Sequence, residues 1–254
     1  MKKLVKLIFL KLGFKISKVN NSLEVVNSVK KVKKAITPQT HLNGSAVAPY
    51  SSVPFAGETL QQLCEHYEFN TVLDIGSGEG KHSDVLNQKG KLVTAIDFGS
   101  SVYFEKRSDT YTCIISDYYE YEFDTKFDAI WASHVLEHQP NPNQFLKKIH
   151  KDLKEGGILA ITVPPLKHEI VGGHVTLWNA GVLMYQLVMA GFNCRDISIK
   201  SYGYNISVIL RKKTIDKYPE LSYDKGDLLK LGEFLPEGLG EPFNGQIESL
   251  NWHD

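Results

Sequence analysis

The sequence VLDIGSGEG at residues 72–80 decides the fold of this 254-residue chain. An apolar run ends in an acid, Asp74, glycines then occupy positions 76, 78 and 80, and a helical pattern begins at Lys81. A strand, a glycine-rich turn and a helix in this order open many nucleotide-binding α/β folds, because glycine permits a tight turn and close approach of a ligand. Lys81 stands where a dinucleotide fingerprint requires glycine, and the chain lacks the GKS or GKT of a Walker phosphate loop.

Helical and strand patterns alternate between residues 58 and 212. The predicted strands are 71–75, 92–97, 111–116, 127–132, 158–163, 197–202 and 206–210, and the predicted helices are 58–67, 81–88, 143–153 and 179–190. Strands separated by helices indicate a mostly parallel sheet covered on both faces, whereas the last two strands are close enough for an antiparallel hairpin. Ligands of such sheets bind beyond the carboxyl ends of the strands.

Three successive predicted strands end in or next to an acid, at Asp74, Asp97 and Asp117. An acid after the first strand attracts an amino group, and one after the second accepts hydrogen bonds from both hydroxyls of a ribose. Asp117 is placed to accept from an exocyclic amine, and Phe98 with Tyr118 is predicted to sandwich a purine ring. Together the three acids predict a site for an adenosine that carries an amino group.

The chain resembles the class I S-adenosylmethionine-dependent methyltransferases over residues 58–212. The matching stretches are VLDIGSGEG at 72–80, Asp97, Asp117, and FDAIWASHVLEHQPNPNQFLKKIHKDLKEGGILAITVPP at 127–165. The resemblance implies a Rossmann-like α/β fold with a seven-stranded, mostly parallel sheet of order 3-2-1-4-5-7-6 and helices on both faces. It implies S-adenosylmethionine as cofactor and S-adenosylhomocysteine as product. The cofactor-binding residues expected from it are Asp74, Gly76, Ser77, Gly78, Asp97, Phe98, Asp117, Tyr118, Ser133 and His134.

Histidines near the catalytic end of the predicted sheet are candidates for the base that removes a proton from an alcohol acceptor. The imidazole suits this role because its pKa lies near neutrality. His174 is the leading candidate, since it follows Gly172 and Gly173 in a loop after the fifth strand, and His134 and His168 are the alternatives. The spacing of histidines and acids does not predict a metal site, so none is expected.

Two acceptor classes and one non-enzymatic function remain open at the level of the sequence. The lysine-rich start, the segment at 172–192 and the apolar end resemble methyltransferases of bacterial surface polysaccharides, which implies O-methylation of a sugar or phosphoramidate group in a capsule or lipopolysaccharide precursor. A methyltransferase acting on a lipid quinone or another small metabolite is the alternative. The second alternative is a scaffold subunit that binds S-adenosylmethionine without catalysis.

The two ends of the chain differ in character from the core at 58–212. Residues 1–34 hold ten of the 29 basic residues and one acid, which leaves the remainder net acidic. Residues 1–36 are predicted as a basic amphipathic leader that contacts an anionic membrane, the core or a second subunit. Its helical stripe would consist of Val5, Ile8, Phe9, Leu12 and Ile16. Residues 37–57 are predicted as a loop, and residues 213–254 as an extension packed on the core, with a short helix at 227–234.

Composition limits the cellular setting. Apolar residues make up 42% of the chain and charged residues 23%, the apolar run near the start is too short to span a membrane, and three cysteines lie far apart. A cytoplasmic protein is therefore expected, and the resemblance implies a bacterial enzyme. If the leader contacts a membrane rather than the core or a second subunit, that contact would be peripheral and at the inner membrane. No basic surface or RNA-binding module is visible, so a nucleic-acid partner is not expected. The oligomeric state, monomer or homodimer, is left open.

Overall fold

A computed structural model describes residues 14–19, 22–27, 42–100, 104 and 110–253 of the chain. The chain divides into two compact units, Met1–Thr37 and Pro38–Asp254.

The first unit contains an antiparallel hairpin of two strands, β1 (Phe14–Val19) and β2 (Ser22–Asn27), in which Val19 pairs with Ser22. The predicted leader helix is therefore wrong at Ile16, which lies in β1. The other residues of the predicted stripe lie outside the described residues. The β-branched residues of both strands favour extended backbone. Only two residues separate the strands along the chain, a spacing that suits a tight hairpin.

The second unit is built on one eight-stranded sheet. Its strands are β3 (Thr71–Ile75), β4 (Leu92–Asp97), β5 (Thr112–Ile115), β6 (Phe127–Ser133), β7 (Leu153–Val163), β8 (Ser198–Tyr202), β9 (Asn205–Arg211) and β10 (Ser249–Leu250). Its helices include α1 (Gly57–His66), α2 (Lys81–Gln88), α3 (Pro142–Asp152), α4 (Ala180–Met189) and α5 (Asp227–Lys230). The strand order is β5-β4-β3-β6-β7-β9-β8-β10.

The order of the first seven strands of this sheet is the predicted 3-2-1-4-5-7-6. Strands β3 to β7 pair in parallel, and β9 runs antiparallel to both β7 and β8, which confirms the predicted final hairpin. The two-residue strand β10 adds an antiparallel edge to β8. Strand β7 begins at Leu153, earlier than predicted, because Leu153 pairs with Phe127 and an irregularity then shifts the register so that Ile158 pairs with Ala129.

Alternate side chains of the central strands belong to two hydrophobic layers, one on each face of the sheet. In β6, Ile130 belongs to the first layer and Trp131 to the second. Buried residues of α3 and α4 contribute to the first layer, and those of α1 and α2 to the second. This covering by helices explains the nearly continuous apolar character of the parallel strands. It also leaves the carboxyl ends of the strands as the open edge where a site can form.

The residues after the last long strand return to the sheet. Leu231, Phe234 and Leu235 are buried in the first hydrophobic layer, and Trp252 contacts the second. The helix expected at 227–234 consists of α5 followed by a 3-10 turn, Gly232–Phe234. No helix within the described residues has the length and hydropathy needed to cross a bilayer.

Candidate active site

The glycine-rich turn lies between the end of β3 and the start of α2. Gly76 has a φ of +69°, and its N–H donates to the Ile96 carbonyl at 2.8 Å. A Cβ at this position would lie 2.4 Å from Cγ2 of Val135, so the turn and the segment after β6 can approach each other only because residue 76 is glycine. The sequence predicted this turn, and the structure places it beside the ends of β4 and β6.

The carboxylate of Asp97 is fixed at the end of β4 by two backbone hydrogen bonds. The N–H of Gly78 donates to its Oδ2 at 2.9 Å, and the N–H of Gly99 donates to its Oδ1 at 2.9 Å. Each carboxylate oxygen retains a second lone pair, so both can still accept from a vicinal pair of hydroxyls. The backbone therefore fixes the orientation of the Asp97 carboxylate at the end of β4.

The side chain of Asp74 points away from solvent, with 2% of its surface exposed. Ser83 of α2 donates to its Oδ2 at 2.6 Å. Burial raises the pKa of Asp74 from the ordinary value of 3.8 to about 7, and the negative charge of Asp97 adds to the shift, although the hydrogen bond from Ser83 opposes it. Asp74 thus links the end of β3 to α2 through its hydrogen bond with Ser83, and its carboxylate does not face solvent.

Replacement of Asp74 by asparagine is expected to flatten the pH dependence of stability. The pKa of Asp74 is about 7 in the folded state and 3.8 ordinarily, so the folded state favours the protonated carboxyl. The carboxyl therefore makes its full contribution to the free energy of unfolding below about pH 4, and this contribution is lost as the pH rises through 7. The amide oxygen of the asparagine would still accept the hydrogen bond from Ser83. Urea unfolding at pH 5 and pH 8 measures the difference, with Asp196→Asn on the surface as control. An equal decline in wild type and Asp74→Asn would contradict the raised pKa.

The structure corrects the predicted aromatic sandwich at the end of β5. Tyr118 is 5% exposed, its hydroxyl donates to Asp152 at 2.8 Å, and its ring packs edge-on against Phe145. It therefore cannot form a sandwich with Phe98, which is 61% exposed. The error arises because the strand ends at Ile115 and the chain turns at Asp117, where the N–H of Glu120 donates to the Asp117 carbonyl, so Tyr118 enters the core. A second exposed apolar side chain at this edge is Ile115, also 61% exposed, which pairs with Asp97 and lies within the predicted strand 111–116.

Asp117 remains at the same edge, where its Oδ1 accepts from the N–H of Tyr119 at 2.8 Å. Two buried hydroxyls nearby in the fold, Ser77 Oγ in the glycine-rich turn and Ser133 Oγ at the end of β6, have no hydrogen-bond partner in the described part of the chain. Buried polar groups are normally paired with protein or water, so these two hydroxyls are available to hydrogen-bond a ligand or water. The donor set of acids and hydroxyls, with the apolar faces of Phe98 and Ile115, fits S-adenosylmethionine.

A second group of side chains gathers after β6 and β7. The carboxylate of Glu137, fully buried, lies among three imidazoles: its Oε1 is 3.4 Å from Nδ1 of His134, 3.7 Å from Nε2 of His138 and 4.0 Å from Nε2 of His174. We call these four residues the histidine–glutamate cluster. The sequence indicated His134 and His174 as candidates, but it did not predict that they converge with His138 on the carboxylate of Glu137.

Local backbone geometry assembles the cluster. His134 has a φ of +55°, an uncommon conformation for a residue other than glycine, and the 3-10 turn Leu136–His138 follows it. The loop after β7 brings His174 close, because the N–H of Val175 donates to the Glu137 carbonyl at 2.9 Å. Burial lowers the pKa of His174, an effect that Glu137 opposes and the neighbouring histidines reinforce. His168 in the same loop is exposed to solvent.

Aromatic residues that the sequence did not single out border His134. The ring of Phe55 lies 4.5 Å from the His134 ring between centroids, and that of Tyr204 lies 6.0 Å away. His82 donates from Nε2 to the Phe55 carbonyl at 2.8 Å, and burial lowers the pKa of His82 to about 4, so it stays neutral. A small pocket between the loop after β7 and Tyr204 is lined by His174, among other residues. This pocket is the candidate acceptor site.

The sequence is similar to known methyltransferases over part of its length. Residues 73–161 match the family model of the methyltransferase domain. The ubiquinone biosynthesis O-methyltransferase of Pseudomonas paraeruginosa is 32% identical over 95 residues, which cover 34% of this chain and 41% of that protein. The enzyme of the same name from Idiomarina loihiensis is 30% identical over 126 residues, 46% of this chain and 49% of that protein. The matches thus span less than half the length of these relatives.

Solved structures share the fold at lower identity. The 1,6-didemethyltoxoflavin-N1-methyltransferase of Burkholderia thailandensis, solved with S-adenosylhomocysteine, has a TM-score of 0.52 and 21% identity, covering 62% of this chain and 77% of its own. A SAM-dependent methyltransferase from Archaeoglobus fulgidus has a TM-score of 0.51 and 18% identity, covering 61% and 93%. These similarities confirm the predicted Rossmann-like architecture.

Proposed function

We propose that this chain is an S-adenosylmethionine-dependent O-methyltransferase. The observation that carries the proposal is the placement of Asp97 at the end of β4 and of Asp117 just after the adjacent β5. The hydroxyls of Ser77 and Ser133, which have no hydrogen-bond partner in the described part of the chain, lie after β3 and at the end of β6. The match of residues 73–161 to the methyltransferase domain supports it independently.

The acceptor that we propose is a hydroxyl on the ring of a lipid-quinone precursor. Relatives named for ubiquinone biosynthesis support this alternative, and they do not support the surface-polysaccharide acceptor that the resemblance implied. Apolar side chains around the loop after β7 also favour a lipid-like acceptor over a sugar. Five of them are at least 41% exposed: Leu166, Ile170, Val171, Val175 and Leu177.

Each part of the site has a role in this reaction. When bound, S-adenosylmethionine supplies a methyl group on a sulfonium centre. Asp97 and Asp117 orient the adenosine, and the fixed carboxylate of Asp97 does so without reorganisation. Phe55 and Tyr204 shield the face of His134 from water. The histidine–glutamate cluster borders the pocket where the acceptor hydroxyl loses its proton, and His174 is the member that lines that pocket.

Transfer of a labelled methyl group tests the proposal. The full chain is incubated with methyl-labelled S-adenosylmethionine and one of three acceptors: a prenylated catechol, the same ring without the prenyl chain, or a hexose. We expect transfer to both catechols, with a lower KM for the prenylated one, and none to the hexose. Transfer to the hexose alone would restore the polysaccharide acceptor. Cofactor binding without transfer to a broad acceptor panel would favour the scaffold alternative.

A matched substitution tests whether the apolar loop selects the acceptor. Ile170, 83% exposed, can be changed to aspartate without disturbing the core. Ile170→Asp should raise the KM for the prenylated catechol and leave that for the short catechol unchanged. Leu229→Asp, on an exposed position of α5, is the control. Equal effects of Ile170→Asp on both acceptors would remove the loop from recognition of the chain.

A further inference from the structure

The carboxylate of Glu137 is unusual among the described carboxylates in being buried without a hydrogen bond. Both of its oxygens lack a partner in the described part of the chain, and the residue has no exposed surface. A buried charge of this kind is costly unless a cation or a donor compensates for it. Its nearest polar neighbours are the imidazole nitrogens of His134, His138 and His174.

In their neutral forms, two of these imidazoles face Glu137 with the nitrogen that carries no proton. His138 has its Nδ1 2.7 Å from the carbonyl oxygen of Gly173, and since a carbonyl can only accept, Nδ1 carries the hydrogen. In the neutral ring the lone pair is then on Nε2, the atom nearest to Glu137.

The same reasoning applies to His134. Its Nε2 lies 2.9 Å from Oδ1 of Asn205, whose amide nitrogen donates to the Leu42 carbonyl and so fixes which end of the amide faces His134. Nε2 therefore donates, and in the neutral ring Nδ1 directs its lone pair at Glu137. Lone pairs that converge on a carboxylate repel one another, and a positive charge between them, carried by a metal ion or by a proton, removes this repulsion.

We propose that the histidine–glutamate cluster binds a divalent transition-metal ion of the zinc type. Ligand atoms of Glu137, His138 and His174 all lie within 4.8 Å of one another, and His134 adds a fourth nitrogen 3.4 Å from Oε1. Tetrahedral zinc with bonds of about 2.0–2.1 Å separates its ligands by roughly 3.4 Å, so small side-chain movements complete the site. Nitrogen ligands favour zinc-like ions over Mg²⁺.

The outward hydrogen bonds of the two histidines support the same assignment. Histidines that ligate a metal donate their other N–H to a carbonyl or a carboxylate, which fixes the ring and its tautomer. Gly173 and Asn205 supply such partners here. The sequence did not predict this site, because His174 is far from the other three residues along the chain and only the loop after β7 brings it to them.

A role for the ion in methyl transfer rests on the proposed function. Bound beside the pocket, the ion would hold the acceptor oxygen and make its hydroxyl more acidic, so His174 would act as a ligand rather than as a free base. The hydroxyl proton passes to water, the oxygen bonds to the methyl carbon, and the carbon–sulfur bond breaks with its electron pair left on sulfur.

Metal binding can be measured without any methyl acceptor. The full chain is stripped with a chelator, dialysed, and titrated with Zn²⁺ against a chromophoric chelator, and with Co²⁺ for its visible absorption. We expect one equivalent bound, a tetrahedral Co²⁺ spectrum, and affinity reduced at least about tenfold in both Glu137→Gln and His174→Ala. His174 is in a surface loop, so His174→Ala decides the matter if Glu137→Gln fails to fold.

The stacked surface pair His66 and His253, with ring centroids 5.0 Å apart, provides the control for adventitious binding. His253→Ala should leave the tight site unchanged. No tight equivalent in the wild type, or a tight equivalent lost in His253→Ala and kept in His174→Ala, would overturn the proposal. Metal binding without methyl transfer would preserve the site and reject the proposed function, whereas transfer by the metal-free chain would support the proposed function and remove the ion from the reaction.

Discussion

Asp97→Ala should weaken binding of S-adenosylmethionine by about 30-fold or more. The substitution removes a charged acceptor that the Gly78 and Gly99 amides hold in place. Hydrogen bonds to a charged group contribute about 1.5–3 kcal/mol, and each 1.4 kcal/mol corresponds to about tenfold in affinity. Calorimetric titration of the full chain with S-adenosylmethionine and with S-adenosylhomocysteine measures the loss, which should be similar for both because they share the ribose.

The control for Asp97→Ala has to separate lost recognition from a disordered turn. Asp196→Ala removes an exposed acid outside the site and should bind the cofactor as the wild type does. The thermal midpoint of Asp97→Ala shows whether loss of the hydrogen bond to Gly78 loosens the fold. A stable Asp97→Ala protein with wild-type affinity would reject the ribose assignment.

The parallel core could be predicted because each signal was local. The bounds of β3 and β4 were predicted as observed, because Gly76 directly follows β3 and the acid Asp97 ends β4. The order of the strands followed from a resemblance to a family rather than from periodicity. Strand β10 was not predicted, because a strand of two residues has no periodic pattern and its partner β8 is distant from it in sequence.

Errors in the predicted site have a common physical origin. The sequence shows that Tyr118 follows Asp117, but not that its ring turns inward to Phe145 and Asp152. It shows His134, Glu137 and His138 in a row, but not that the loop after β7 adds His174 to them. Phe55 gave no signal at all, because its contact with His134 joins segments distant in sequence. Residue types and strand ends are local information, whereas convergence of side chains is tertiary.

The segment after β9 is expected to be an integral part of the fold, and two leucines in it allow a matched test. Leu231 has no exposed surface and belongs to the first hydrophobic layer, whereas Leu229, two residues earlier, is 65% exposed. Leu231→Ala should lower the free energy of unfolding by about 2–5 kcal/mol, because it leaves a cavity among packed side chains. Leu229→Ala should change it by less than about 0.5 kcal/mol.

Urea denaturation of both variants measures the difference, provided that the dependence of the unfolding free energy on denaturant stays that of the wild type. The two substitutions delete the same atoms, so their difference isolates burial from side-chain identity. The packing of this segment also affects the site. The buried face of α4 lies in the same hydrophobic layer as Leu231, and α4 begins directly after the loop that carries His174. If Leu231→Ala costs no more than Leu229→Ala, the segment packs too loosely to support the sheet, and the boundary of the folded core moves back to Arg211 at the end of β9.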